Sequence, residues 1–294
     1  MVQNTMLASG NVTVKSQLGQ MQVVEYARDM SVSNLTAKIE YYCSKMNVNR
    51  RQLMLNLNGN AFTVQAGAMQ WMAGDIKMGT GIKGAGDFFG KFVGAKVTGE
   101  STAKPVYDGF GQMMLEPTYR HILLTDLNEW NGSVVLDDGL FLACDAGVQQ
   151  KIVRRSNVSS AVLGGEGIFN LSLNGTGVCA FESIVPREEI IEVTLNNDCM
   201  KIDGNMAMAW SGTLDFSVEK SAKSLIGSAV SGEGFVNVYR GSGKIWLAPV
   251  LSHGSAGKTN LSENASAGQT GTTAGKNGPM NKLEKFANFV EKFS

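Results

Sequence analysis

Apolar and polar positions along the chain follow two periods. Between Asn34 and Met46, the residues Leu35, Ile39, Tyr42, Cys43 and Met46 recur at helical spacing, which predicts one short helix. Ahead of it, GNVTVKSQ and MQVVEY read as short strands. From Arg50 onward the period is mainly that of a strand: Leu53, Leu55 and Leu57 alternate with Met54, Asn56 and Asn58. Asn58-Gly59 then predicts a hairpin, because both positions of a two-residue turn need positive φ.

The pattern changes after residue 251. SHGSAGKTNLSENASAGQTGTTAGKNGP has almost no large apolar side chains and cannot bury enough surface to offset its ordering entropy, so 252–279 reads as a flexible linker. Residues 280–294, MNKLEKFANFVEKFS, form a different object. Met280, Leu283, Phe286, Ala287, Val290 and Phe293 fall on one helical face, with Glu284, Lys285, Glu291 and Lys292 opposite. Such a helix would be about 22 Å long, too short to persist alone in water. Leu283, Phe286, Val290 and Phe293 are therefore candidate partner-binding residues. They would face the chain's own domain, a protein partner or a membrane surface.

Between these ends one pattern recurs. GEGIFNLSLNGTGVCAF from Gly165 matches GEGFVNVYRGSGKIWL from Gly232 and, more loosely, GESTAKPVYDGFGQMML from Gly99. The pairs Gly109 and Gly111, Gly175 and Gly177, and Gly241 and Gly243 follow one another at intervals of 66 residues. After each pair the same face is apolar: Met113 and Leu115, Cys179 and Phe181, Ile245 and Leu247. With 35 glycines in the chain, Gly-x-Gly alone carries no information; the joint pattern does. Each copy is preceded by a strand opened by a turn glycine, in VQAGAMQWM, CDAGVQQKIV and KIDGNMAMAW, at less regular spacing. A unit of this size must have its inner face covered by its neighbours. The expected fold is all-β, a pseudo-threefold arrangement of three sheet repeats around one shared core, near 61–117, 133–183 and 195–249 within a domain at 51–251. A short N-terminal helix in an extension at 1–50 and the C-terminal helix complete it. The six paired glycines are expected to be turns between strands. A phosphate loop would lead from a strand into a helix, and Val178 to Phe181 does not read as one.

Charge and rare residues narrow the chemistry. Lys plus Arg and Asp plus Glu are each 26, so there is no basic excess, and nucleic acid is not an expected partner. Cys43, Cys144, Cys179 and Cys199 lack metal-ligand spacing and read as thiols of a reducing compartment. No apolar run reaches the roughly 18 residues of a membrane span, and a cytoplasmic protein, at most peripheral to a membrane, is expected. GTGIKGAG, from Gly79, has dinucleotide-type glycines without the βαβ context such a site needs. Of two histidines, His253 lies in the linker and His121 in a strand-like run, so no nucleophile–base pair can be assembled. Glu100, Glu166 and Glu233 occupy equivalent places in the three copies and are weak candidates for a cation site; capping of turn amides explains them more simply. Arg50-Arg51 and Arg154-Arg155 read as solvated faces or ion-pair partners. No catalytic residue and no cofactor are expected.

QAGAMQWMAGDI, KVTGES, EPTYRHILL, DDGLFLACD, SSAVLGGEGIFNLSLNGTGV, IDGNMAMAWSG and SGEGFVNVYRGSGKIWLAPV, in this order, resemble a bacterial-type member of the altered-inheritance-of-mitochondria family. That family is grouped with folds like that of the tryptophan RNA-binding attenuator protein. The resemblance spans about residues 30–250. It implies a β-prism-like domain with internal pseudosymmetry, often oligomeric, and its eukaryotic namesake is associated with mitochondrial inner-membrane organisation. It supplies no catalytic residues, and the chain has no lysine–aromatic motif matching the attenuator's RNA site, so RNA binding is not implied. A non-enzymatic oligomeric scaffold with a tethered docking helix is the expected role. The alternative is a module binding a carbohydrate, lipid headgroup or cation through loops at one end of the prism.

Overall fold

The structure is a computed structural model describing residues 4–79, 104–154, 169–204, 206–220 and 235–250. A hairpin of β1 (Val12–Leu18) and β2 (Met21–Tyr26) precedes α1 (Ala37–Lys45). The rest is strand. β3 (Arg51–Val64), β4 (Met69–Gly79) and β5 (Val106–Leu115) form a first set. β6 (His121–Asp126), β7 (Ser133–Leu136), β8 (Phe141–Asp145), β9 (Gln149–Arg154), β10 (Phe169–Asn174) and β11 (Val178–Ser183) form a second. β12 (Ile191–Asp203), β13 (Ala207–Ser211), β14 (Asp215–Lys220) and β15 (Phe235–Leu247) form a third.

Strand order is the same in each set. The last segment lies between the other two: β5 between β3 and β4, β10 and β11 between β6–β7 and β8–β9, β15 between β12 and β13–β14. All these ladders are antiparallel. Adjacent sets join through one further ladder each, β3 with β8 and β7 with β13. The result is an eight-stranded sheet and a seven-stranded sheet.

Each set bends halfway. In β3 the register shifts between Asn58 and Asn60, around Gly59 at φ +79°. Asn131 and Gly132, at φ +54° and +78°, part β6 from β7, and Asn197, at φ +51°, sits in the shift of β12. Short polar side chains and glycine tolerate this left-handed backbone. The inserted residue reverses side-chain parity, so one face stays apolar through the bend. Leu53, Leu55 and Leu57 therefore share a cluster with Phe62 and Val64.

Three main clusters result. The first set wraps one containing Leu55, Phe62 and Met113. The third set wraps one containing Trp210, Tyr239 and Ile245. Between the sheets lies one containing Trp130, Phe181 and Trp246. Buried residues thus fall into separate clusters along two bent sheets, where one core shared by three repeats was expected. β13 is buried at every position, as its two apolar faces imply.

Several sequence expectations change. Asn58-Gly59 is a bulge inside β3, not a hairpin. Gly109 and Gly111 lie inside β5, and Gly241 and Gly243 inside β15; only Gly175 and Gly177 fall between strands. The cause at Gly109, Gly111 and Gly74 is close approach of neighbouring main chain. A Cβ at Gly109 would collide with the carbonyl of Asp75. The turns between first and second segments of the sets hold Gly67, Gly139 and Gly204, at φ +80°, +79° and +69°. In the second set this is the DDG turn; the glycine of CDAG is Gly147, at the bend between β8 and β9. Residues 1–50 are not a separate extension, because β2 pairs with β3 from Met21–Leu55 to Glu25–Arg51. The first segments begin at Arg51, His121 and Ile191, ahead of the expected repeat limits. α1 is the predicted helix, yet it buries no residue. The linker, the terminal helix and Leu283, Phe286, Val290 and Phe293 lie outside the described residues.

Candidate functional site

Polar groups converge at a cleft of about 160 Å³ where β1, β3, β6 and the turn before β12 meet, lined by Lys15, Asn47, Arg51, His121, Arg187 and Glu188. Arg51 is its centre and is only 2% exposed. A guanidinium has five N–H donors, and all are engaged. Nε donates to Glu25 at 2.7 Å, Nη2 to the Asn47 side chain at 2.7 Å and carbonyl at 3.0 Å, and Nη1 to the carbonyls of Asn49 at 3.3 Å and Arg120 at 3.4 Å. Asn47, at φ +61°, ends α1 and turns its own polar atoms onto this guanidinium. Lys15 shares Glu25 at 3.5 Å. The cleft's cations are therefore largely committed to the chain itself.

His121 lies at the start of β6 and is half-buried. Burial, and then the charge of Arg51, push its pKa down to about 4, so the ring is neutral at pH 7. Among the described residues no hydroxyl or thiol is hydrogen-bonded to it.

Arg187 leads from the cleft to a second cluster. Its guanidinium lies 4.7 Å from the Trp246 ring centre, and Lys244 Nζ lies 4.4 Å from that of Trp130 and 5.7 Å from that of Trp246. The two indoles meet edge to face at 4.8 Å. Glu192 accepts from the Trp246 indole at 2.6 Å and from Arg187 at 3.2 Å, and Lys244 lies 3.8 Å away. Trp130 donates to Thr125 at 2.9 Å. Paired indoles of this kind can hold a ligand cation; here the chain's own lysine and arginine occupy the ring faces.

Cys144 and Cys179 are buried and directly opposite one another on β8 and β11. The hydrogen bond to Cys144, and then burial, push the Cys179 thiol up, away from the reactive thiolate. Among the described residues no group of three or more His, Cys, Asp or Glu side chains could hold a metal, and no helix is long and apolar enough to cross a membrane. Glu100, Glu166 and Glu233, and the GTGIKGAG stretch beyond Gly79, lie outside the described residues. Of the basic pairs, Arg51 proves to be a buried ion-pair partner, while Arg50 pairs with Asp29 at 3.4 Å and stacks on Tyr26 at 4.2 Å. The Trp130–Trp246–Glu192 cluster has no local sequence signature, since its members are far apart along the chain.

Residues 45–250 match the family model described as mitochondrial biogenesis AIM24. The chain belongs to the AIM24 family. This AIM24-family chain is similar to an uncharacterised protein of Streptococcus pyogenes serotype M6, at 32% identity over 198 residues that cover 65% of the chain and 77% of the relative. It is also similar to a crystal structure of a protein from Streptococcus pyogenes. There the TM-score is 0.52 at 23% identity, with 93% of this chain and 100% of that one covered, a likeness of fold alone. The matched span takes in all strands from β3 to β15, the Trp130–Trp246–Glu192 cluster and the cleft residues Asn47, Arg51, His121, Arg187 and Glu188, but not Lys15 or Glu25.

Proposed function

We propose that this chain is a non-enzymatic oligomeric β scaffold, built from three copies of one bent unit as in a β-prism, with 280–294 as a tethered docking helix. The observation that carries the reading is the common strand order of the three sets, each with its last segment in the centre. Engagement of all five Arg51 donors within the chain, and of Arg187 and Lys244 on the indole rings, fits a structural role for both clusters. A cytoplasmic location, at most peripheral to a membrane, suits its free cysteines. Deletion of 280–294 tests the tether. The truncated chain is expected to keep its unfolding midpoint and to lose association with a protein partner or with vesicles. Unchanged pull-down and sedimentation would reject the tether.

A second reading, a module for a small carbohydrate, lipid headgroup or cation, is favoured by the cleft at His121, although its volume of about 160 Å³ suits only a small group. A thermal-shift panel of such ligands tests it; a flat panel rejects it.

A further inference from the structure

The two ladders that join the sets have one register. Positions can be compared by counting from the glycines of each last segment. Phe62, Val134 and Met200 each stand opposite the residue two before Gly109, Gly175 and Gly241, namely Tyr107, Leu173 and Tyr239. Met72, Cys144 and Trp210 each stand opposite the residue two after Gly111, Gly177 and Gly243, namely Met113, Cys179 and Ile245. In these terms the ladders coincide residue by residue. Phe62–Asp145, Thr63–Cys144 and Val64–Ala143 join the first set to the second. Val134–Ser211, Val135–Trp210 and Leu136–Ala209 join the second to the third.

This rule leaves two edges over. The second half of β12, Asp198 to Asp203, has the form that receives the following set. The first half of β4, Met69 to Ala73, has the form that is received. Among the described residues no ladder joins them. Their exposure differs from that of their counterparts: Met72 is 42% exposed, against 0% at Cys144 and 3% at Trp210. Lys201 is exposed, while Thr63 and Val135 in its place are buried. An unpaired edge with apolar side chains is a template for another strand.

We infer that a second copy of this chain completes the series: β12 of one copy pairs with β4 of the next, placing Met200 opposite Ala73, Lys201 opposite Met72, and Ile202 opposite Trp71. The chain holds both edges yet does not pair them with each other, so the strand that fits each comes from another copy. The contact is head to tail and closes into a ring or extends. The inference rests on the oligomeric reading above and gives it an interface.

The test uses the full chain with Cys43→Ser and Cys199→Ser, which remove the two thiols that are not buried. Lys201→Cys and Met72→Cys are added singly or together. Opposed residues of an antiparallel pair lie about 4.5–5.5 Å apart at Cα, within disulfide reach. Oxidised glutathione is the oxidant, each new disulfide releasing two molecules of reduced glutathione. Co-expression of the two single variants is expected to give a disulfide-linked dimer on a non-reducing gel, and neither variant alone. A double variant that links only within one chain, or no linkage, would overturn the inference. Light scattering on the unmodified protein separates the failures. A mass above one chain without linkage rejects this interface and leaves the scaffold; the mass of one chain rejects both.

Discussion

Trp246 donates its indole N–H to Glu192 at 2.6 Å, and the same two residues are direct partners across the β12–β15 ladder. One carboxylate thereby satisfies a buried indole, receives Arg187 and balances Lys244. Glu192→Ala is expected to cost about 1–3 kcal/mol, because the indole N–H is left without an acceptor. Glu192→Gln, which keeps an acceptor oxygen, is expected to cost less. Urea unfolding followed by tryptophan fluorescence measures both; equal stability of Glu192→Ala and the parent would refute the assignment.

Glycine is needed for different reasons at different sites. Gly67 has φ +80° with open space around it, so Gly67→Ala bears only the left-handed backbone penalty of roughly 1–2 kcal/mol. Gly109 has φ +126°, and a methyl group there meets the Asp75 carbonyl, which its own ladder holds in place. Gly109→Ala is expected to be the more damaging by a clear margin in thermal unfolding. The reverse order would show that β4 can move away from β5.

His121 makes stability depend on pH. Its folded pKa is about 4, below the ordinary value of 6.5, so between these values the unfolded chain takes up a proton that the folded chain refuses. This contribution is whole above pH 6.5, falls as the pH drops toward 4, and falls no further below that. His121→Gln removes it. The difference in stability between parent and variant is expected to change across pH 6.5 to 4 and stay level above pH 7; a level difference throughout would contradict the burial of the ring.

The thiols divide by location. Cys199 is exposed, whereas Cys144 and Cys179 are buried. An aromatic disulfide reagent added to the native chain is expected to modify Cys199 first, and Cys144 and Cys179 only after denaturant. Fast modification of Cys144 in the native state would mean that β8 opens readily.

Much of the β character is legible in local alternation, at Leu53 to Leu57 and along Met206 to Trp210. The bends are not. At Gly59 one extra residue inverts the alternation, so the apolar face resumes at Phe62 out of phase, and a reader of sequence sees a turn where the strand continues. The same confusion moved the opening turn of the second set from Gly139 to Gly147, because Asp138-Gly139 and Ala146-Gly147 both resemble turns and only the ladders tell them apart. α1 was legible because its period is local. Arg51 was not, because what buries it comes from Glu25, Asn47, Asn49 and Arg120, and only folding brings these together. Glu192 and Trp246 were hidden likewise, being partners across 54 residues of chain.

The central place of each last segment has a consequence for synthesis. β3 and β4 leave the ribosome before β5 but are not neighbours; β4 waits for β5, and β12 waits in the same way for β15. The β1–β2–β3 meander can form as it emerges, but among the described residues β4 pairs only with β5, and β12 and β14 only with β15, so these strands stay open until their partner arrives. Slow acquisition of structure and a need for protection during translation are built into that connectivity.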